Sequence, residues 1–294
     1  MGIAIYKTFS SKNTRELFLF VIFFIATIYL AQYQNLNLLD LLSGYVIFNA
    51  IISSYGTKKM ELFILAGLYF VIIAYYSNLL LVPSSIFLGG ISSYNIYPGK
   101  KHGVKKTTYK KELRRNIFTM LGGIILLILM LIALSITNQY LIITFVFIAG
   151  IILLNNSLLE RNGAVSRFLY GLERDNFRLG HGAIWLGIGT CFALSYLKDP
   201  LALATIGLIF IADSVSPIIG MRYGSVKLPY NKKKSILGTL SYALAAFIVS
   251  YFFIGSYAII IALVGAIIES LPISLDDNFD VPFGIFIISK LFGV

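Results

Sequence analysis

This sequence has little charge, a single cysteine, two histidines and no long polar linker. Charged residues make up 13% of its 294 positions, about half the ~25% of a soluble globular chain. That share cannot cover a water-facing surface, so lipid must cover much of the molecule. One cysteine, Cys191, excludes an internal disulfide and a cysteine metal cluster, and inside its apolar run it reads as packing. His102 and His181 form no zinc-binding pattern. The 23 Phe and 19 Tyr scatter through apolar runs, which argues against a base-stacking surface and a nucleic-acid partner. The longest polar stretch, Tyr97 to Arg115, is too short for a soluble domain, so residues 1–294 read as a single membrane domain.

Apolar runs fill the chain instead. A helix crossing ~30 Å of hydrocarbon needs about 20 apolar residues. Runs near that length occur at 16–34, 37–55, 61–79, 117–136, 139–156, 182–197, 201–220, 236–254 and 256–272. A weaker run at 82–98 contains Pro83 and Gly89-Gly90, and a short one closes the chain at 282–293. The first run lacks a small-residue cleavage site after it and reads as a retained helix. The expected fold is an all-α, polytopic integral membrane bundle of about ten transmembrane helices.

Loop charge supports that count. With the amino terminus inside and 82–98 taken as a span, inside segments collect all of the 24 Lys and Arg except Lys198 and Lys290. The net charge of +11 therefore follows from cytoplasmic loops. It also places the polar chemistry on the cytoplasmic face.

The acids are unevenly placed. Asp213 lies about twelve residues into LALATIGLIFIADSVSPIIG. An acid at the centre of a membrane helix costs ~2.5–3.5 kcal/mol on insertion scales and needs an ion, a basic partner or water. Ser214, Ser216 and Pro217 follow, and Pro217 removes a backbone donor and frees carbonyls near Asp213. A carboxylate beside loosened backbone suits Mg²⁺, which takes one or two carboxylates plus phosphate oxygens and water. The plainer alternative is an ion pair with Arg222.

Residues 220–240 read GMRYGSVKLPYNKKKSILGTL. Gly220 and Gly224 allow close backbone approach and a sharp exit. Arg222, Lys227, Lys232, Lys233 and Lys234 crowd one loop, and Ser235 stands at the expected N-cap of the next helix, with Gly238 and Thr239 in its first turn. A helix N-terminus among cations is an anion site. No Walker A pattern is present. The third group is IIESLPISLDDNFDVPFG, 267–284: Glu269 ends an apolar helix, Asp276, Asp277 and Asn278 lie in the following turn, and Pro282 opens the tail. Adjacent carboxylates repel unless a cation sits between them. Helix capping is the simpler use of such residues, but it needs only one. Two further loops are polar. In 105–123, Glu112 among many cations is placed to pair with Arg115 or Asn116; 171–182 mixes Glu173, Arg174, Asp175, Arg178 and His181.

The run ADSVSPIIGMRYGSVKLPYNKKKSILGTL, 212–240, resembles the signature of the CTP-dependent polyprenol kinase family, which includes dolichol kinase, phytol kinase and the CTP-dependent diacylglycerol kinases. The matching residues are Asp213-Ser214, Gly220 and Gly224, Lys227, Lys234-Ser235 and Gly238-Thr239. The family's later acid-rich turn is similar to Glu269 with Asp276-Asp277-Asn278, and its upstream Glu-x-x-Arg-Arg stretch to Glu112, Arg114 and Arg115. Asn116 and Thr119 stand where the family more often carries Lys and His. The resemblance covers about 105–290, a kinase-like core, and leaves the helices of 1–98 without an assigned role.

The resemblance implies transfer of the γ-phosphoryl of CTP to a membrane isoprenoid alcohol such as dolichol or another polyprenol. Asp213, Asp276, Asp277 and Asn278 would hold Mg²⁺. Arg222, Lys227 and Lys234 would bind phosphate oxygens, helped by the helix start at Ser235. Glu269 or Asp277 would take the alcohol proton. CTP would arrive from the cytosol and the alcohol from the bilayer. Two other readings compete. A phosphatidate cytidylyltransferase also joins CTP to a lipid, but its signature is missing. A transporter would place its polar groups at the midplane in two matching halves; here they gather on one face of the carboxy-terminal half.

Overall fold

The computed structural model describes residues 109–136, 163–173, 179–272 and 277–292, with single positions at 84, 86, 146, 149–150, 153–154 and 157. Its helices are α1 (Tyr109–Ile136), α2 (Ala164–Leu172), α3 (His181–Tyr196), α4 (Asp199–Gly207), α5 (Asp213–Tyr223), α6 (Ile236–Ile254), α7 (Ala258–Ser270) and α8 (Asp277–Phe292). Among the described residues there is no strand, only an isolated antiparallel bridge between Lys227 and Ser235. The expected spans at 16–34, 37–55 and 61–79 lie outside the described residues, as do 82–98 apart from Ser84 and Ile86 and most of 139–156.

Among the described residues, three stretches are long and apolar enough to cross a membrane: Tyr109–Ile132, Asp199–Tyr223 and Ile236–Ser270. The last is 35 residues long and would rise ~50 Å as one straight helix, well beyond a ~30 Å hydrocarbon layer. Gly255 folds it. Its φ of 57° admits glycine far more readily than any L side chain, and α6 and α7 pack side by side on either side of the turn Gly255–Tyr257. The expected pair of spans, 236–254 and 256–272, is this helical hairpin.

Two boundaries differ from the reading of apolar runs. α1 begins at Tyr109, eight residues before the apolar run at 117. Its first turns, YKKELRRN, are rich in Lys, Glu, Leu and Arg, all good helix formers, so the polar loop carries the helix backwards. The tail helix likewise starts at Asp277, and Pro282 sits inside it rather than opening it.

The chain divides into two compact units, residues 1–104 with 137–184 and residues 105–136 with 185–294. In the first, the Gly180 N–H donates to Oε2 of Glu173, the residue after α2, at 2.7 Å. The second holds α1, the body of α3, and α4 to α8.

The second unit is organised around a π-helical turn, Leu208–Ala212, that joins α4 to α5. Pro200 and Asp199 start α4 where a missing N–H and a negative charge suit a helix N-terminus. The continuous apolar helix then reaches Tyr223, with Arg222 in its last turn. The π turn admits an extra residue, and Leu208, Ile209 and Ala212 in it are buried. Phe210 lies on Gly123 of α1, where an added Cβ would come within 2.3 Å of Phe210 Cβ; Leu208 Cδ2 lies 2.9 Å from the same position on Gly265 of α7. Hydroxyls along these helices, those of Ser195, Thr205, Ser214 and Ser250, donate to carbonyls one turn back and so need no water.

α3 closes on α8 through rings. Phe192 meets Phe279, Phe283 and Phe286 at centroid distances of 5.6, 6.0 and 5.7 Å, and Trp185 meets Phe279 at 6.5 Å. The contact is tightest at Gly189, where a Cβ would lie 1.9 Å from the Asn278 carbonyl oxygen and 3.6 Å from Ile209 Cδ1. That carbonyl is the i−4 group facing Pro282, which has no N–H to give it. Gly189→Ala is expected to force the first turn of α8 away, lowering the melting temperature in detergent by several degrees, for an overpacking cost of about 1–3 kcal/mol. An unchanged Tm in a differential scanning fluorimetry experiment would show that the contact yields freely.

Candidate active site

Ser235 is the centre from which the site is built. It is extended, with φ −115° and ψ 151°, and its Oγ accepts from the Gly238 N–H at 3.1 Å, capping α6. The N-cap expected from its place before the apolar run is therefore present. The same hydroxyl donates to the Gly220 carbonyl at 3.4 Å. Three glycines surround it. An added Cβ would meet Ser235 Oγ at 2.9 Å from Gly220, 2.1 Å from Gly224 and 3.0 Å from Gly238, and Gly238 also lies against the Ser216 carbonyl. The end of α5 and the start of α6 thus touch backbone to backbone. Residues 220–240, read as a close-approach motif with a helix start, fold as one.

The loop between these helices is a narrow hairpin. Leu228 N–H donates to the Lys234 carbonyl at 3.1 Å and Ile236 N–H to the Val226 carbonyl at 3.0 Å, which sets Lys227 opposite Ser235. Lys227, Lys232 and Lys233 are exposed, as is Arg222, whose guanidinium lies 5.2 Å from the Tyr223 ring centre. Lys234 differs. Its Nζ is 2.8 Å from Glu269 Oε1 and also donates to the Glu269 main-chain carbonyl. Ser216 Oγ donates to the same Oε1 at 3.3 Å. Asn231 Nδ2 reaches the Ser270 carbonyl at 2.9 Å, and Tyr230 OH lies 2.8 Å from Ser270 Oγ. The loop is bound to the carboxyl end of α7.

Asp213 opens α5 directly after the π turn and is partly exposed, whereas Glu269 is 3% exposed. Pro217 stands inside α5, where it has no N–H to give the Asp213 carbonyl four residues back, and the π turn lies on the other side of Asp213. α8 packs against that π turn, and Asn278 and Ile209 meet at Gly189. Ile209 is one turn before Asp213 in the chain, so the start of α8 meets the π turn that precedes Asp213. Asp276 and the side chain of Asp277 lie outside the described residues. Thr239 Oγ1, in the first turn of α6, is shielded from solvent and has no hydrogen-bond partner among the described residues. On α1, Glu112 and Asn116 are buried, and Arg115 joins them at 2.8 and 3.2 Å, the pairing that the spacing allowed.

Ser216, Asn231, Tyr230 and Ser270 were not singled out as site residues by sequence. Ser216 carried a signal, a hydroxyl one turn after Asp213 on a membrane helix; the other three are defined only by contacts about forty residues apart in the chain.

Comparison with known proteins adds a chemical direction. A probable chloroplastic phytol kinase 1 of Glycine max is 32% identical over 103 residues, 29% of this chain and 34% of its own length. A chloroplastic farnesol kinase of Arabidopsis thaliana is 33% identical over 110 residues, 32% of this chain and 36% of its own. The carboxy-terminal region is similar to the phytol and farnesol kinases. An uncharacterized protein of Methanocaldococcus jannaschii is 38% identical over 107 residues, 35% of this chain and 55% of its own. The similarity agrees with the family resemblance read from residues 212–240. The chain spans between 34% and 42% of the length of the first plant relatives it matches. No family model matches the chain, and no solved structure does.

Proposed function

We propose that this chain is a membrane-embedded kinase that transfers the γ-phosphoryl of CTP to an isoprenoid alcohol, a polyprenol or dolichol. The observation that carries this reading is the start of α6. It is a capped helix N-terminus, packed on α5 through glycine, beside Arg222 and Lys227, in a region similar to phytol and farnesol kinases. The Ile236, Gly238 and Thr239 N–H groups are already engaged, so anionic oxygen is favoured there by the helix dipole together with the neighbouring cations. The orphaned hydroxyl of Thr239 adds a donor that a buried site ordinarily satisfies.

Among the described residues no three His, Cys, Asp or Glu gather to hold a metal ion. One partly exposed carboxylate, Asp213, fits Mg²⁺ that arrives on a triphosphate, since the ion keeps phosphate oxygens and water as its other ligands. In this reading Asp213, with Asp276 and with Asp277 and Asn278 from the start of α8, would hold it, and it would neutralise charge on the phosphates. The alcohol oxygen bonds to the γ-phosphorus while the bond from that phosphorus to the β-bridging oxygen breaks. CDP leaves with the electron pair, and the alcohol proton passes to a carboxylate. Glu269 is engaged by Lys234 and Ser216, so Asp277 is the proton acceptor we assign. The chain crosses the bilayer about ten times, with the amino terminus and this site on the cytoplasmic side, where CTP is found.

The test is a nucleotide-by-alcohol matrix on purified protein, with each γ-labelled nucleotide triphosphate offered to dolichol, polyprenol, phytol, farnesol, diacylglycerol and phosphatidate. The expected result is labelled lipid monophosphate, strongest with CTP and an isoprenoid alcohol. Label released as pyrophosphate with phosphatidate would instead make the chain a CDP-lipid synthase. Solute flux into liposomes with no phospholipid product would make it a transporter.

A further inference from the structure

Of the basic residues in the α5–α6 loop, Lys234 is the one drawn inward. Its side chain is 22% exposed and that of its partner Glu269 is 4% exposed. An ammonium group has three protons to donate; Lys234 directs bonds to both the carboxylate and the main-chain carbonyl of Glu269. Ser216 arrives at the same carboxylate oxygen from α5. Three elements, α5, the loop and α7, therefore converge on one buried group. A carboxylate so placed requires its counter-charge, and removing either partner leaves the other uncompensated. The consequence reaches α6, because Ser235, the N-cap, is the next residue, and the Lys234 carbonyl closes the hairpin at Leu228.

We infer that Lys234 and Glu269, backed by Ser216, are positioning residues: the pair fixes the N-terminus of α6 against the end of α7, and neither acts on phosphate or on the alcohol proton directly. The inference rests on the kinase reading above. It departs from the roles that the family resemblance gives these two residues, a phosphate ligand and a base.

A charge-reversal cycle in the full-length protein tests it. Lys234→Glu and Glu269→Lys are each expected to lower kcat by about 100-fold, the scale of loss when reacting groups are held slightly out of place. The double variant Lys234→Glu/Glu269→Lys is expected to regain at least ~10-fold over either single one, since paired residues are non-additive. Lys234→Arg should stay within about threefold of wild type because the charge still reaches Glu269. Ser216→Ala should lower kcat ~3–10-fold with Tm and nucleotide KM nearly unchanged, a split that a merely structural loss would not give. Because a reversed pair can fail for shape alone, the neutral pair Lys234→Met/Glu269→Met serves as a second arm, expected to exceed Lys234→Met in activity. Both doubles remaining at the level of the worse single variant would overturn the inference. So would a Lys234→Met enzyme altered only in nucleotide KM beside an unaffected Glu269→Gln. Melting temperatures of the same variants in detergent, without substrate, separate the two claims. Coupling in Tm with no phosphoryl transfer by wild type would sink the kinase reading; additivity in Tm and in kcat would sink the pair.

Discussion

Asp213→Ala is expected to lower phosphoryl transfer by about 1000-fold while the protein still inserts and melts as wild type does. The size follows from the work assigned to the residue. A carboxylate that holds a divalent cation on the transferring phosphates contributes several kcal/mol to the transition state, and ~4 kcal/mol is about three orders of magnitude. The fold should tolerate the change. Asp213 is only partly buried, lies in the first turn of α5 after the π turn, and is followed by an unbroken helix to Tyr223. Alanine is a better helix former than aspartate, and it removes an acid from an apolar helix. Asp213→Asn, which keeps the shape and discards the charge, should be as inactive as Asp213→Ala. Activity of either variant within tenfold of wild type, at equal expression and equal Tm, would remove Asp213 from the metal site.

The parts of this arrangement that are contiguous in the chain were legible in the sequence. Residues 212–240 place an acid, two glycines, a cationic loop and an N-cap in order, and these fold as a helix, a hairpin and a capped helix. Ser235 was readable because a serine before an apolar run has one common use. The hairpin of α6 and α7 was readable because Gly255 interrupts 35 residues that no membrane could hold straight. What was not legible depends on distant partners. The π turn at Leu208–Ala212 has no local signature, and it is seated by glycines on α1 and α7. Lys234 looked like its loop neighbours because Glu269 lies 35 residues further on. Pro282 looked like a helix start because a residue in the first turn needs no N–H; the sequence did not show that the carbonyl four residues back, on Asn278, to which it gives no N–H, would lie against Gly189.

Gly224→Ala is expected to have the second large effect, and its cause is space alone. The backbone at Gly224 has φ −80° and ψ 78°, a negative φ open to an L residue, so alanine carries no left-handed strain there. Its Cβ would nevertheless lie 2.1 Å from Ser235 Oγ and 2.4 Å from the Gly220 carbonyl oxygen. The hydroxyl cannot turn aside without giving up the Gly238 amide, and the carbonyl belongs to the end of α5. Losing the cap costs about 1 kcal/mol and overpacking another ~1–3 kcal/mol, so Tm should fall by several degrees. Activity should fall further, by more than ~100-fold, because the positive end of α6 and the cationic loop attached to it move with the cap. Ser235→Ala added to Gly224→Ala removes the clash with Oγ but leaves those with the Gly220 carbonyl oxygen and with Cβ of residue 235, 2.5 Å away, so the double variant should remain impaired. Gly122→Ala on α1 is the matched control: no atom lies within 4 Å of its added Cβ, and it should keep wild-type activity with an equal or higher Tm. Full activity in Gly224→Ala would mean that α5 and α6 can separate at this point without cost, and a nucleotide bound at the start of α6 would then need a different anchor from the one Ser235 provides.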